Sequence, residues 1–183
     1  MKIAVFLGSR PGNKPLYRET AEKVGAWIAA EGHSLIYGGE DMGLMGVLAD
    51  AALRGGAEVA GVVPDIPFLK ERRHPGLTEV IPVKDMAERK REMLARADLF
   101  LCLPGGIGTL DEFTDVMVSV QLGFFDKPCV LFDAGGYYRA FGDFLRQMTE
   151  EGFLDASLLA AVRITDDLAE VGRLISAGKE DGR

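Results

Sequence analysis

Seven short apolar runs punctuate this sequence, and within each the apolar residues are grouped rather than alternating strictly with polar ones. They are Lys2–Leu7, Ser34–Tyr37, Glu58–Val63, Glu79–Val83, Leu99–Leu103, Pro128–Phe132 and Ala161–Ile164. A strand with one solvated face alternates, whereas a strand that is apolar throughout has both faces covered, as in a parallel sheet sandwiched by helices. Segments of helical period supply those helices: Tyr17–Glu31, Leu44–Arg54, Asp85–Ala97, Thr109–Leu122, Tyr137–Glu151 and Asp166–Ser176. Asp65–Thr78 reads as a looser connection, and Ala177–Arg183 as a frayed end. The expected fold is α/β, a Rossmann-like three-layer sandwich with a parallel sheet flanked by helices. One domain over residues 1–183 suits a chain of this length.

Parallel sheets of this kind receive ligands beyond the carboxyl ends of their strands. The glycines fall there. Gly8 follows the first run, Gly38-Gly39 the second, and Pro104-Gly105-Gly106-Ile107-Gly108 the fifth. Three such turns at one sheet edge suggest a binding rim, because glycine lets backbone approach a ligand with no side chain between. The net charge of −7, from 21 basic and 28 acidic residues, argues against a nucleic-acid binder. It leaves room for a small phosphate ligand, which needs only a few local donors. No apolar run is long enough to cross a bilayer, and Met1–Leu7 reads as a buried strand rather than a signal sequence. Cys102 and Cys129 sit in apolar runs without metal or redox spacing, which points to a reducing, cytoplasmic setting.

Leu103–Thr109 joins a strand directly to a helix, so the free amides of the helix N-terminus and the helix dipole behind them make a phosphate site. Gly105, Gly106, Ile107, Gly108 and Thr109 are its candidate contacts, with Gly8 and Ser9 from the first turn. The loop lacks the Lys-Ser/Thr of a Walker A motif, and the first turn lacks the Gly-x-Gly-x-x-Gly dinucleotide fingerprint. Nucleoside triphosphates and nicotinamide cofactors are thereby disfavoured. Thr109-x-x-Glu112 reads two ways: as a capping box, or as a carboxylate aimed at the ligand end of the sheet. In Asp85–Met93, the residues Met86, Met93 and Leu94 form the expected core-facing stripe. Arg89 lies beside it, either solvated or offering bidentate recognition of phosphate or ribose oxygens.

Glu88-Arg89-Lys90-x-x-Met93 followed by Pro104-Gly105-Gly106-x-Gly108-Thr109-x-x-Glu112 resembles the LONELY GUY (LOG) family of nucleotide phosphoribohydrolases. The resemblance extends over Gly43-Leu44-Met45-Gly46, the His74–Glu79 region, Gln121 to Pro128 and Gly136-Tyr137-Tyr138. It implies a Rossmann-like homodimer that binds AMP-like ligands and releases free base and ribose 5-phosphate from AMP or cytokinin riboside 5′-monophosphates. Arg89 and Glu112 take the catalytic positions; Glu71, Arg89, Lys90 and the Gly106–Glu112 segment take the nucleotide-contacting ones. Two departures stand out. Glu40-Asp41 follows Gly38-Gly39 where the family commonly has a third glycine, and Ala87 replaces a histidine before the arginine motif.

Cleavage of an N-glycosidic bond builds positive charge on the ribose, so Glu112 is expected near the sugar, with Arg89 as a fixed charge that orients it. The scheme needs no metal and no cofactor. A nucleotide-binding or carrier protein without turnover is the rival from another class. A pyridoxal-phosphate lysine decarboxylase, which the family's older label of possible lysine decarboxylase suggests, would need a Schiff-base lysine in a larger cofactor site.

Overall fold

The computed structural model of the chain describes residues 1–180. Seven parallel strands form one sheet: β1 (Lys2–Phe6), β2 (Ser34–Tyr37), β3 (Val59–Pro64), β4 (Glu79–Val83), β5 (Leu99–Cys102), β6 (Cys129–Phe132) and β7 (Val162–Thr165). Their spatial order is β4-β3-β2-β1-β5-β6-β7. The chain therefore steps outward from β1 to β4, returns to the other side of β1 at β5, and steps outward again. Between β1 and β5 the connections on either side leave in opposite directions, which opens a crevice at the carboxyl ends of these two strands.

The helices are α1 (Pro15–Ala30), α2 (Gly43–Arg54), α3 (Pro67–Glu71), α4 (Met86–Arg96), α5 (Ile107–Gln121), α6 (Arg139–Glu150), α7 (Ala156–Ala161) and α8 (Leu168–Glu180). The strand side chains separate into two cores by parity. Ile3, Val5, Leu99 and Leu101 face α1, α2 and α8, where Val24, Ile28, Leu48 and Val171 are buried. Ala4, Phe6, Phe100 and Cys102 face the other side, where Met93, Phe113, Val116 and Leu145 are buried. The central strands are apolar on both parities because both faces lie under helices, as expected of the unalternating runs.

Where local order departs from expectation, a specific interaction explains it. The looser stretch contains α3, opened by Pro67 at its first turn, where the missing amide costs nothing. Pro64 is the last residue of β3 and pairs with Val83 of β4, beyond the pairing with β2, which ends at Gly61. Helix α6 begins at Arg139, two residues after the expected Tyr137, behind a 3-10 turn at Ala134–Gly136. Helix α7 carries no distinct periodic signal, being six residues long. The end expected to fray continues as helix through Glu180, while residues 181–183 lie outside the described residues.

Candidate active site

Helix α5 starts at Ile107, two residues before the expected Thr109, and its N-cap is Gly106 with no side-chain cap. Thr109 is thus inside the first turn, and Thr109–Glu112 is not a capping box. A reciprocal cap forms at the start of α4 instead. Asp85 accepts a hydrogen bond from the Glu88 amide at 2.8 Å, and Glu88 accepts one from the Lys84 amide at 2.6 Å. That cap fixes where α4 begins and with it the position of Arg89 one turn on. At α5 the first-turn amides remain free of side-chain acceptors, so the positive end of the helix dipole faces the crevice.

The crevice has a volume of about 460 Å³. The β1 exit (Gly8, Ser9, Arg10, Gly12) and the β5 exit (Pro104 to Thr109) line it, with Leu44, Tyr17 and Tyr137. All the loop residues read as phosphate contacts, Gly8, Ser9, Gly105, Gly106, Ile107, Gly108 and Thr109, therefore meet around one cavity. The two exits are laced together, since the Gly8 amide donates to the Pro104 carbonyl at 3.2 Å. Gly105 is required by close approach. A Cβ there would stand 2.1 Å from Thr109 Oγ1 and 2.9 Å from the Gly8 amide. Tyr138 donates to the Leu103 carbonyl at 2.7 Å, and Tyr137 donates to the Gly105 carbonyl, so the loop is also held from outside.

Beside the loop lies a buried ion pair. Arg89 Nη2 is 3.4 Å from Glu112 Oε1, with side-chain exposures of 6% and 9%. Gly38, at the β2 exit, makes the space for it, because a Cβ on Gly38 would lie 2.0 Å from Arg89 Nη2. Met86 is not part of the core stripe. It is 39% exposed, and its sulfur lies 3.6 Å from Arg89 Nη1. Met93 is buried as expected. Arg89 Nε is buried and has no hydrogen-bond partner among the described residues. The guanidinium is thus incompletely satisfied.

Burial pushes the Glu112 carboxyl up to about 7, and the nearby Arg89 charge only partly offsets this. Asp111 and Glu40 push it further upward, while Lys90 acts downward. A carboxylate poised near neutrality exchanges protons readily at physiological pH, the property wanted of a general acid or base. Lys90 points its ammonium at α5, 3.0 Å from Asp111 and 2.8 Å from Asp115. It ties α4 to α5 and so supports the Arg89–Glu112 contact from the adjacent turn.

Glu71 ends α3 and is exposed. Its segment is strapped to the β2 exit: the His74 amide donates to the Gly39 carbonyl at 2.9 Å and the Asp41 amide to the Arg72 carbonyl at 2.7 Å. His74 itself is buried and structural. Its Nδ1 accepts from the Gly76 amide at 3.0 Å, so Nε2 carries the proton that faces Asp50 at 3.2 Å. The two departures at the β2 exit separate here. Asp41 has a half-exposed side chain, whereas Glu40 is buried, at 8% exposure. The role of Gly38 and the burial of Glu40 escaped sequence reasoning; the only sign was that an acidic residue stood in a glycine turn.

Fold and crevice together define the class: a Rossmann-like α/β protein with a glycine-rich loop and an uncapped helix N-terminus at its switch point and a buried arginine–carboxylate pair beside it. Comparison with known proteins narrows this. Residues 45–175 match the family described as possible lysine decarboxylase, and the chain belongs to this family, the LOG family whose motifs it carries. The cytokinin riboside 5′-monophosphate phosphoribohydrolase of Rhodococcoides fascians is 40% identical over 167 residues, covering 91% of this chain and 84% of that protein. The Arabidopsis thaliana enzyme of the same name, LOG1, is 40% identical over 153 residues, covering 84% of this chain and 72% of its own. Among solved structures, the Moco carrier protein of Chlamydomonas reinhardtii superimposes with a TM-score of 0.70 at 21% identity, covering 96% of this chain and 98% of that one. At that identity the likeness concerns the fold alone.

Proposed function

We propose that the chain hydrolyses the N-glycosidic bond of a nucleoside 5′-monophosphate, AMP or a cytokinin riboside 5′-monophosphate, to free base and ribose 5-phosphate. The observation that carries this reading is the buried Arg89–Glu112 pair beside an uncapped helix N-terminus. The phosphorylated end of the ligand sits on the Gly106–Thr109 amides and fixes the position of C1′. Glu112 orients a water molecule and takes its proton as the water oxygen bonds to C1′. The C1′–N bond breaks with its electron pair on the base, which takes a proton from solvent as it leaves, and Glu112 returns its proton to solvent. Arg89 stays protonated throughout; it holds Glu112 and ligand oxygens in place. Relatives at about 40% identity are phosphoribohydrolases by name, which supports the same reaction here.

The same reading takes the protein as a cytoplasmic homodimer. Two free, buried cysteines support a reducing compartment. Val118 of α5, and Leu122 and Phe124 just beyond it, are 51%, 62% and 74% exposed, a surface suited to a second copy. No helix among the described residues is long and apolar enough to cross a membrane.

The test is to separate products after incubation with AMP, isopentenyladenosine 5′-monophosphate and the corresponding nucleosides. The monophosphates are expected to yield free base and ribose 5-phosphate, and the nucleosides to react at least a hundredfold more slowly. Nucleosides cleaved as fast as their monophosphates would remove the phosphate loop from the mechanism.

A further inference from the structure

The proposed reaction seats a phosphate in the crevice, and the groups assigned to it so far do not match its charge. A phosphate monoester carries about −1.5 to −2 near neutrality, whereas the N-terminal end of a helix dipole offers about half a positive charge. Two cations near the site are already engaged by carboxylates: Arg89 by Glu112, and Lys90 by Asp111 and Asp115. One guanidinium is left. Arg10 is exposed, lines the crevice together with the Gly105–Thr109 loop, and makes no ion pair or side-chain hydrogen bond among the described residues. Among those residues no acidic side chain, and no other cationic one, lines the crevice.

The backbone that carries Arg10 is held on three sides while its side chain is free. Pro11 steers the preceding residue away from helical backbone. The start of α2 presses on the same turn: the Leu44 amide donates to the Gly8 carbonyl at 3.2 Å, and a Cβ on Gly43 would lie 2.4 Å from the Ser9 carbonyl oxygen and 2.7 Å from the Arg10 amide nitrogen. The Gly8 amide ties the turn to the loop through the Pro104 carbonyl, also at 3.2 Å. A guanidinium mounted there offers a planar pair of N–H donors that matches two phosphate oxygens, and it keeps its charge at any physiological pH. We infer that Arg10 is a specificity-determining residue: it pairs with the 5′-phosphate seated on the α5 amides and so sets the preference for nucleoside 5′-monophosphates over nucleosides. This rests on the nucleotide reading of the site but not on turnover. Arg10 is assigned to binding, and the proton traffic remains with Glu112.

The experiment uses the full chain carrying Glu112→Gln, so that no nucleotide is consumed, with Arg10 intact or changed by Arg10→Gln or Arg10→Lys. Calorimetric titration compares AMP with adenosine at low and at high ionic strength, and thermal melting checks that each variant is folded. Arg10→Gln is expected to weaken AMP about tenfold or more, the usual effect of losing a hydrogen bond between charged groups, while adenosine changes little. Arg10→Lys, which keeps the charge but loses the planar fork, restores part of the AMP affinity. Added salt weakens AMP binding more steeply with Arg10 than with Arg10→Gln, because a solvent-exposed ion pair is screened. Equal weakening of AMP and adenosine would make Arg10 a structural residue of the turn, and an AMP affinity unaltered by Arg10→Gln would leave the phosphate to the α5 amides alone; either result overturns the inference. Hydrolysis of AMP by the unmodified chain is measured alongside. Its failure with the Arg10 effect intact contradicts the hydrolase reading only, whereas absence of AMP binding contradicts both.

Discussion

Glu112 owes its proposed chemistry to burial. Its carboxyl is pushed up to about 7 although a guanidinium stands 3.4 Å away. If its ionised form is the base, kcat/KM should rise tenfold per pH unit on the acidic limb and level off above about pH 7, as a pH–rate profile would record. Glu112→Gln should reduce turnover about 10²- to 10⁴-fold while nucleotide binding persists; full retained rate would remove the residue from the chemistry. The same burial has a stability signature. A carboxyl protonated more tightly when folded than its ordinary 4.5 adds stability below that value and loses it as pH rises towards 7. Melting temperature should therefore fall between pH 5 and pH 8 more steeply for the parent than for Glu112→Gln. Gly38→Ala is the complementary change: it leaves both charged residues in place but puts a methyl 2.0 Å from Arg89 Nη2. Displacing the guanidinium should lower kcat/KM at least tenfold with little effect on melting, provided the site rather than the fold absorbs the clash.

At the scale of elements, two packing contacts set the geometry, and they differ in how visible they are in sequence. The α4–α5 contact is held by Lys90 between Asp111 and Asp115, and the cap at Asp85–Glu88 fixes where α4 begins. Its ingredients stand in the Asp85–Met93 run, but spacing alone left a capping box at Thr109–Glu112 open as one of two readings. A helix start depends on where its amides find acceptors, and the glycine loop lets α5 begin two residues early with none. The strands were legible because their apolar runs reflect burial on both faces. Helices α3 and α7, five and six residues long, were not, since so few turns carry no period. On the opposite face, α1 and α2 approach closely at Gly25, where a Cβ would meet the Leu48 carbonyl at 2.4 Å and Ala51 Cβ at 2.8 Å. Gly25→Leu should therefore destabilise the fold by about 1–3 kcal/mol. Chemical denaturation should show this as a lower midpoint; an unchanged midpoint would mean that the helices separate freely.

Across the whole molecule, the strand order β4-β3-β2-β1-β5-β6-β7 does what no single motif does: it brings the exits of β1 and β5 to one crevice, with Leu44 from the helix after β2. Arg89 from α4 and Glu112 from α5 meet only because β4 returns to β5 beside β1. Their partnership was readable in the sequence through family resemblance and not through spacing, which leaves them 23 positions apart. Glu40 shows the converse: an unusual residue in a glycine turn is visible in sequence, but its burial appears only once the 72–74 strap closes over the β2 exit. The central claim is that this crevice uses Glu112 to add water across the base–ribose bond of a 5′-monophosphate. Its most direct test is the appearance of adenine and ribose 5-phosphate when the purified chain is incubated with AMP. The account predicts the two products in equal amounts; intact AMP after prolonged incubation with folded protein that demonstrably binds it would contradict the account.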